Sequence, residues 1–102
     1  MIRLIEDKIN DIIVLCKEHN VTSIALFGSA AKESMNENSD IDFLVQFSEN
    51  IDVLDYADNY FSLLEKLEAL LGKKIDLVSK RSLRNPVLIE DIDRSKVDLY
   101  AA

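Results

Sequence analysis

"LFGSAAKESMNENSDIDFLV", residues 26–45, joins two apolar runs through a polar segment. An apolar run ends at Gly28 and Ser29, ten residues follow, and Asp40 and Asp42 then open a second apolar run. Ionised carboxylates are costly to place where a buried strand begins unless something compensates their charge. The two aspartates therefore need a partner, and we expect a divalent metal and a nucleotide.

The spacing of the two aspartates predicts a shared metal site. Side chains alternate along a strand, so Asp40 and Asp42 face the same side. Mg²⁺ prefers oxygen ligands and commonly takes one or two carboxylates together with substrate phosphates. Asp76 lies in another strand-like segment, "KKIDLVS", and would join the pair if the two strands are neighbours. Three carboxylates would suit the two-metal chemistry of phosphoryl transfer.

Gly28 and Ser29 predict a phosphate contact. A glycine between a strand and a helix lets the backbone approach a phosphate closely. The start of the following helix offers unpaired N–H groups and a favourable dipole, and Ser29 adds a hydroxyl donor. Because carboxylates alone would repel a polyphosphate, metal ions are needed to invert the charge of the site.

Each half of this pattern also has an ordinary structural interpretation. An Asp-x-Asp at the start of a strand is often a solvated turn with an N-capping role, and Gly-Ser is a common loop pair. Their spacing, with each half at the edge of a strand, favours the catalytic interpretation.

Size and composition narrow the class of protein. The chain has 102 residues, with 48% apolar and 30% charged residues, which predicts one globular domain over residues 1–102. A net charge of −7 disfavours direct nucleic-acid binding. Cys16 is the only cysteine, so neither a disulfide nor a thiolate zinc site is expected. With no signal-peptide pattern and no apolar stretch of ~20 residues, we expect a cytoplasmic protein that does not enter membranes.

Hydrophobic periodicity predicts an α/β (α+β) fold: a small mixed β-sheet with helices packed on one face. Helices are expected over residues 2–19, 53–71 and about 87–95, and strands in "TSIALFG", "DIDFLVQF" and "KKIDLVS". "SAAKES" is expected to form one or two helical turns, and "VDLYAA" closes the chain with no element assigned. The predicted core face of the second long helix comprises Val53, Ala57, Tyr60, Phe61, Leu64, Leu67 and Leu71.

"GSAAKESMNENSDIDFLV" resembles the signature of the DNA polymerase beta-type nucleotidyltransferase superfamily. The whole chain is similar to the minimal nucleotidyltransferase (MNT) branch of that superfamily. The resemblance implies the nucleotidyltransferase fold. It assigns Gly28 and Ser29 to phosphate binding, Asp40 and Asp42 to metal binding, and Asp76 to the third acid of the site.

The chain departs from the family pattern directly after Gly-Ser. Family members commonly continue with Arg-x-Arg-Gly, whereas Ala30, Ala31, Lys32 and Glu33 follow here. Lys32 would replace the second arginine as a point charge on the nucleotide, but Ala30 cannot make a bidentate phosphate contact. Activity or nucleotide affinity is therefore expected to be reduced.

The resemblance also implies a reaction and a partner. The reaction is transfer of AMP from ATP, with two Mg²⁺ ions, to a protein hydroxyl. The acceptor would be a tyrosine of a HEPN-type ribonuclease toxin, with this chain as its antitoxin. An acidic protein suits a basic, RNA-binding partner.

Two alternatives stay open. A binding-only antitoxin that masks its partner is favoured by the altered "SAAKE" segment. A free-standing nucleotidyltransferase acting on a small molecule is disfavoured by the short chain, because members with that activity carry an additional domain. Self-association as a homo-oligomer is also left open.

Overall fold

The described part of the chain contains four strands and four α-helices. The structure, a computed structural model, describes residues 3–31 and 40–102, except for the side chains of residues 29 and 30. In chain order the elements are α1 (Arg3–Glu18), β1 (Val21–Phe27), α2 (Gly28–Ala31), β2 (Ile41–Phe47), α3 (Val53–Leu71), β3 (Ile75–Ser79), a 3-10 turn (Lys80–Ser82), α4 (Pro86–Ser95) and β4 (Val97–Ala101). The three longer helices and the three strands predicted from the sequence are confirmed.

The strands form one mixed sheet in the order β3-β2-β1-β4. β1 runs antiparallel to both β2 and β4, whereas β2 and β3 are parallel. A parallel pair needs a long crossover connection, and α3 provides it. The helix begins at the N-cap Asp52, whose side chain accepts the Asp55 N–H at 2.8 Å, and ends at Gly72 in the left-handed conformation.

The two faces of the sheet differ in what covers them. One face carries the main buried cluster, which joins α1 and α3 to the strands. The opposite face carries a small cluster of Ala25, Leu44 and Ile92, the last from α4. The predicted mixed sheet with helices packed on one face is therefore confirmed for the long helices, and α4 adds a smaller contact on the other face.

The fourth strand, β4, lies where no element was predicted. It pairs with β1 at the edge of the sheet, with Ile24 opposite Tyr100 and Leu26 opposite Val97. Short strands with a single neighbour depend on tertiary pairing for their conformation. A five-residue segment at the end of the chain carries little evidence of that pairing in its own sequence.

The predicted core face of α3 is partly wrong. The fully or nearly fully buried residues of this helix are Leu63, Leu67 and Leu71, whereas Val53 is 80% exposed and Phe61 is 65% exposed. Phe61 lies two residues before Leu63, which places it about 200° around the helix axis from that residue. The buried row follows four-residue steps, and the sequence-based prediction of this face was too broad.

No helix in the described part of the chain is both long and apolar enough to span a membrane.

Candidate active site

The start of β2 places an acid on the face of the sheet that α1 and α3 leave open. Asp40 directly precedes the strand, and Asp42 is its second residue. Ile41 and Phe43, on either side of Asp42, are completely buried in the main cluster. Because side chains alternate along a strand, Asp42 points to the opposite face.

β3 brings a second acid beside it. The parallel register pairs Asp42 with Asp76, and Ile41 and Phe43 with Ile75 and Leu77. Ile75 and Leu77 are buried in the same main cluster, so Asp76 shares the open face with Asp42. The predicted neighbourhood of these two acids is therefore confirmed.

The electrostatics of this acid pair favour a bound cation. The pKa of Asp42 is raised to about 6, first by burial, then by the charge of Asp76, by the hydrogen bond between the two side chains, and by the charge of Asp40. Crowded carboxylates disfavour ionisation, and a divalent cation would remove that cost. A donor set made only of carboxylate oxygens is the kind that Mg²⁺ prefers. The pair therefore fits such an ion.

Asp40 is not gathered with the pair to the same degree. It is exposed and precedes the strand, although its charge acts on Asp42. Within residues 3–31 and 40–102, no three His, Cys, Asp or Glu side chains are already arranged to hold one ion. Two of the three predicted acids are thus paired, and the third lies two residues before Asp42, outside the strand.

Gly28 lies against Asp42. β1 ends at Phe27, which pairs with Asp42, and Gly28 follows with a φ of +69°. A β-carbon at Gly28 would collide with the carboxyl group of Asp42. Glycine is therefore required twice at this position, for its backbone conformation and for the space that the acid occupies. The predicted glycine turn lies beside the acid pair.

The remaining predicted phosphate contacts lie outside the described atoms. α2 begins at Gly28 and continues to Ala31, which agrees with the predicted turn of helix. The hydroxyl of Ser29 and the whole of Lys32 are not among the described atoms. Their roles stay predictions.

One residue near the site was not predicted to belong to it. The hydroxyl of Tyr60, on α3, donates to the backbone carbonyl of Leu77 at 2.5 Å, next to Asp76. Burial and then the charge of Asp76 raise the pKa of this phenol. The sequence places Tyr60 only on the predicted core face of the second long helix, and no motif connects this tyrosine with Asp76.

Known proteins are similar to this chain in sequence and in fold. Residues 10–102 match the family model "Polymerase beta, Nucleotidyltransferase". A Methanocaldococcus jannaschii protein, provisionally named as a protein adenylyltransferase, is 41% identical in an 86-residue alignment that covers 82% of this chain and 82% of the relative.

Two solved structures extend the comparison. A toxin–antitoxin crystal structure with AMP-PNP matches 92% of this chain and 73% of its own, with 29% identity and a TM-score of 0.72. The second is a tri-AMPylated Shewanella oneidensis HEPN toxin in complex with an MNT antitoxin. The match covers 95% of this chain and 72% of the matched chain, with 26% identity and a TM-score of 0.66. The family model covers nearly the whole chain, including the glycine turn and all three acids, and this protein therefore belongs to the polymerase beta nucleotidyltransferase family.

Proposed function

We propose that this protein transfers AMP from ATP to a hydroxyl group of a partner protein in a Mg²⁺-dependent reaction that releases pyrophosphate. The observation that carries the proposal is the pairing of Asp42 with Asp76 directly beside the Gly28 backbone. The arrangement joins metal ligands to a place where backbone can approach a phosphate. The provisional name of the M. jannaschii relative supports protein adenylylation as the reaction.

The three acids would divide the work of metal binding. Asp42 and Asp76 would hold Mg²⁺ from adjacent strands, and Asp40, two residues before Asp42, would complete the site by turning its exposed side chain inward. When bound, Mg²⁺ neutralises the triphosphate and lowers the pKa of an attacking hydroxyl. Asp76 is exposed at the edge strand, where it can act on the incoming acceptor as a metal ligand or as the base that receives its proton.

Gly28 and Ser29 would bind the β- and γ-phosphates. The positive φ and the absence of a side chain at Gly28 allow a phosphate to approach the start of α2. The Ser29 hydroxyl would donate a further hydrogen bond, and Lys32 would add positive charge. These contacts hold the leaving pyrophosphate while the acceptor attacks from the side of Asp76.

The acceptor that we propose is a tyrosine of a HEPN-type toxin, so that the protein acts as an antitoxin. Support comes from the Shewanella complex, in which the toxin partner of the matching antitoxin is AMPylated. The net charge of −7 agrees with a basic partner.

A transfer assay tests the proposal. The protein is incubated with α-labelled ATP, Mg²⁺ and the product of its neighbouring gene, and label on that partner is located by mass spectrometry. Asp42→Asn is expected to lower the rate of AMP transfer at least ~100-fold. Loss of a residue that only supports a metal ligand lowers affinity or activity by up to ~100-fold, and loss of a ligand itself should cost at least as much. Asp98→Asn is the matched control, because Asp98 lies on β4 in an ion pair with Lys96 at 3.3 Å. Absence of transfer by the wild type, or equal transfer by Asp42→Asn, would refute the proposal.

A binding-only antitoxin is the second candidate, and one sequence feature favours it. Ala30 stands where the family resemblance leads us to expect an arginine on the phosphates. The double variant Asp40→Ala, Asp42→Ala separates the two candidates in cells that express the toxin. Rescue by the double variant favours masking, and loss of rescue with retained complex formation favours AMP transfer.

A further inference from the structure

The outer edge of β3, the strand that carries Asp76, is hydrogen-bonded to side chains of α3. Among the described residues, β3 has a neighbouring strand, β2, on one side only, and edge strands leave a row of backbone N–H and C=O groups unpaired. The Ile41 N–H donates to the Lys74 carbonyl at 3.1 Å. Backbone groups alternate in direction along a strand, so those of Ile75 and Leu77 point outward.

α3 supplies partners for these outward groups. The Tyr60 hydroxyl donates to the Leu77 carbonyl at 2.5 Å, and the Glu68 carboxylate accepts the Ile75 N–H at 3.4 Å. Tyr60 and Glu68 are eight residues apart, which places them on the same side of the helix. The two residues that flank Asp76 are therefore both held from outside the sheet.

A tether at this place has an electrostatic reason. Asp76 and Asp42 lie opposite each other on adjacent strands, and the negative charge of Asp76 opposes ionisation of Asp42. Outward movement of the edge strand would relieve this repulsion. A movement of that kind would also separate the two groups that must bind one ion together, and metal sites tolerate only small errors in ligand position.

We infer that Tyr60 is a positioning residue, whose hydroxyl bond to Leu77 keeps Asp76 at the distance from Asp42 that Mg²⁺ binding requires. The inference rests on the proposed function. The phenol can donate at neutral pH, because the ordinary pKa of a tyrosine hydroxyl is about 10. The hydroxyl touches neither of the reacting groups and acts through the strand.

The chain offers a matched control. Tyr56 lies one helical turn before Tyr60, and its hydroxyl donates to Ser79 Oγ at 2.5 Å, on the same strand but three residues beyond Asp76. Tyr56→Phe and Tyr60→Phe each remove one hydroxyl and one bond to β3. A purely structural role predicts the same behaviour for both variants.

The test compares these two variants by Mg²⁺ titration calorimetry, by amide hydrogen exchange and by AMP transfer. Tyr60→Phe is expected to weaken Mg²⁺ binding about 10-fold, to accelerate exchange at residues 75–78, and to lower kcat with little change in the KM for ATP. Tyr56→Phe is expected to lose similar thermal stability but to bind Mg²⁺ as the wild type does. Equal Mg²⁺ affinity in the two variants would overturn the inference.

The readouts separate this inference from the proposed function. A wild-type protein that binds Mg²⁺ but transfers no AMP overturns the proposed function alone, because the calorimetry and the exchange still test Tyr60. A wild-type protein that binds no Mg²⁺ overturns both.

Discussion

The two faces of the β2–β3 pair are built from alternate residues of the same strands and behave in opposite ways. On one face, Phe43 is completely buried and Leu77 nearly so, packed beneath α1 and α3. On the other, Asp42 and Asp76 lie side by side with a raised pKa at Asp42. The first face contributes free energy to folding, whereas the acid pair costs free energy until a cation binds.

The comparison teaches how a small domain can hold like charges together. The parallel pairing of β2 and β3 places Asp42 opposite Asp76, and packing on the opposite face fixes that register. A one-residue slip of β3 would exchange its buried and open faces, so burial of Ile75 and Leu77 specifies the position of Asp76. The apolar face therefore determines the geometry of the acidic one.

The largest expected effect comes from the buried face. Phe43→Ala removes a ring that is 0% exposed and should lower the free energy of unfolding by about 3–5 kcal/mol, measured by denaturant titration. Phe61→Ala is the control, because that ring is 65% exposed, and its loss should cost less than about 0.5 kcal/mol. Similar losses for both variants would contradict the assignment of the two faces.

The next effect concerns the glycine beside the acid pair. Gly28→Ala should lower the free energy of unfolding by about 2 kcal/mol or more, because a β-carbon adds both left-handed strain, about 1–2 kcal/mol, and a collision with Asp42. Gly72→Ala is the control: its φ is +64°, and nothing lies within 4 Å of an added β-carbon. The difference between the two variants measures the collision alone, and equal losses would show that Asp42 moves aside freely.

A smaller effect of opposite sign is expected at the acid itself. The pKa of Asp42 is higher in the folded protein, about 6, than its ordinary 3.8. The folded state therefore binds more protons between these values, and metal-free stability should fall as pH rises from about 4 to about 6. Asp42→Asn should remove this slope and stabilise the metal-free protein at pH 7 by about 1 kcal/mol, after allowance for solvent screening of a partly exposed group.

Thermal unfolding with and without Mg²⁺ measures this change. Mg²⁺ should stabilise the wild type and leave Asp42→Asn nearly unaffected. At high Mg²⁺ concentration the difference in thermal stability between the two proteins should therefore shrink or change sign. If the Asp42→Asn variant is less stable than the wild type without metal, the result contradicts the proposed repulsion between Asp42 and Asp76.

The smallest effect is expected at an exposed ion pair on α4. The distance from Arg94 Nη2 to Glu90 Oε1, both on α4, is 2.5 Å, and the two side chains are 74% and 66% exposed. Glu90→Gln should change the free energy of unfolding by less than about 0.5 kcal/mol, measured at low and high salt. A larger loss of unfolding free energy would show that this exposed ion pair contributes more to stability than its exposure predicts.

Much of the local structure could be predicted from the sequence. The alternation of Ile41, Asp42 and Phe43 indicates which side chains share a face, and Gly72 predicts the end of α3. These features depend on neighbours in the chain, since helical and strand periodicity are local properties. The boundaries of α3 agree with the prediction for the same reason.

The pairing of elements required the tertiary structure. The pattern of β3 could not show that it lies beside β2, and only packing distinguishes Phe61 on the exposed side of α3 from Leu63 on the buried side. β4 takes its extended conformation beside β1, and the link from Tyr60 to Leu77 crosses between two elements.

Adjacent residues in the sequence were enough to show that Asp42 lies between two apolar neighbours of a strand, that a glycine turn precedes it, and that the chain resembles a nucleotidyltransferase. The tertiary structure was needed to show that Asp76 lies opposite Asp42, that a β-carbon at Gly28 would collide with Asp42, and that Tyr60 donates a hydrogen bond to the edge strand. Local periodicity is written in adjacent residues, whereas contacts between distant segments depend on which apolar faces bury one another.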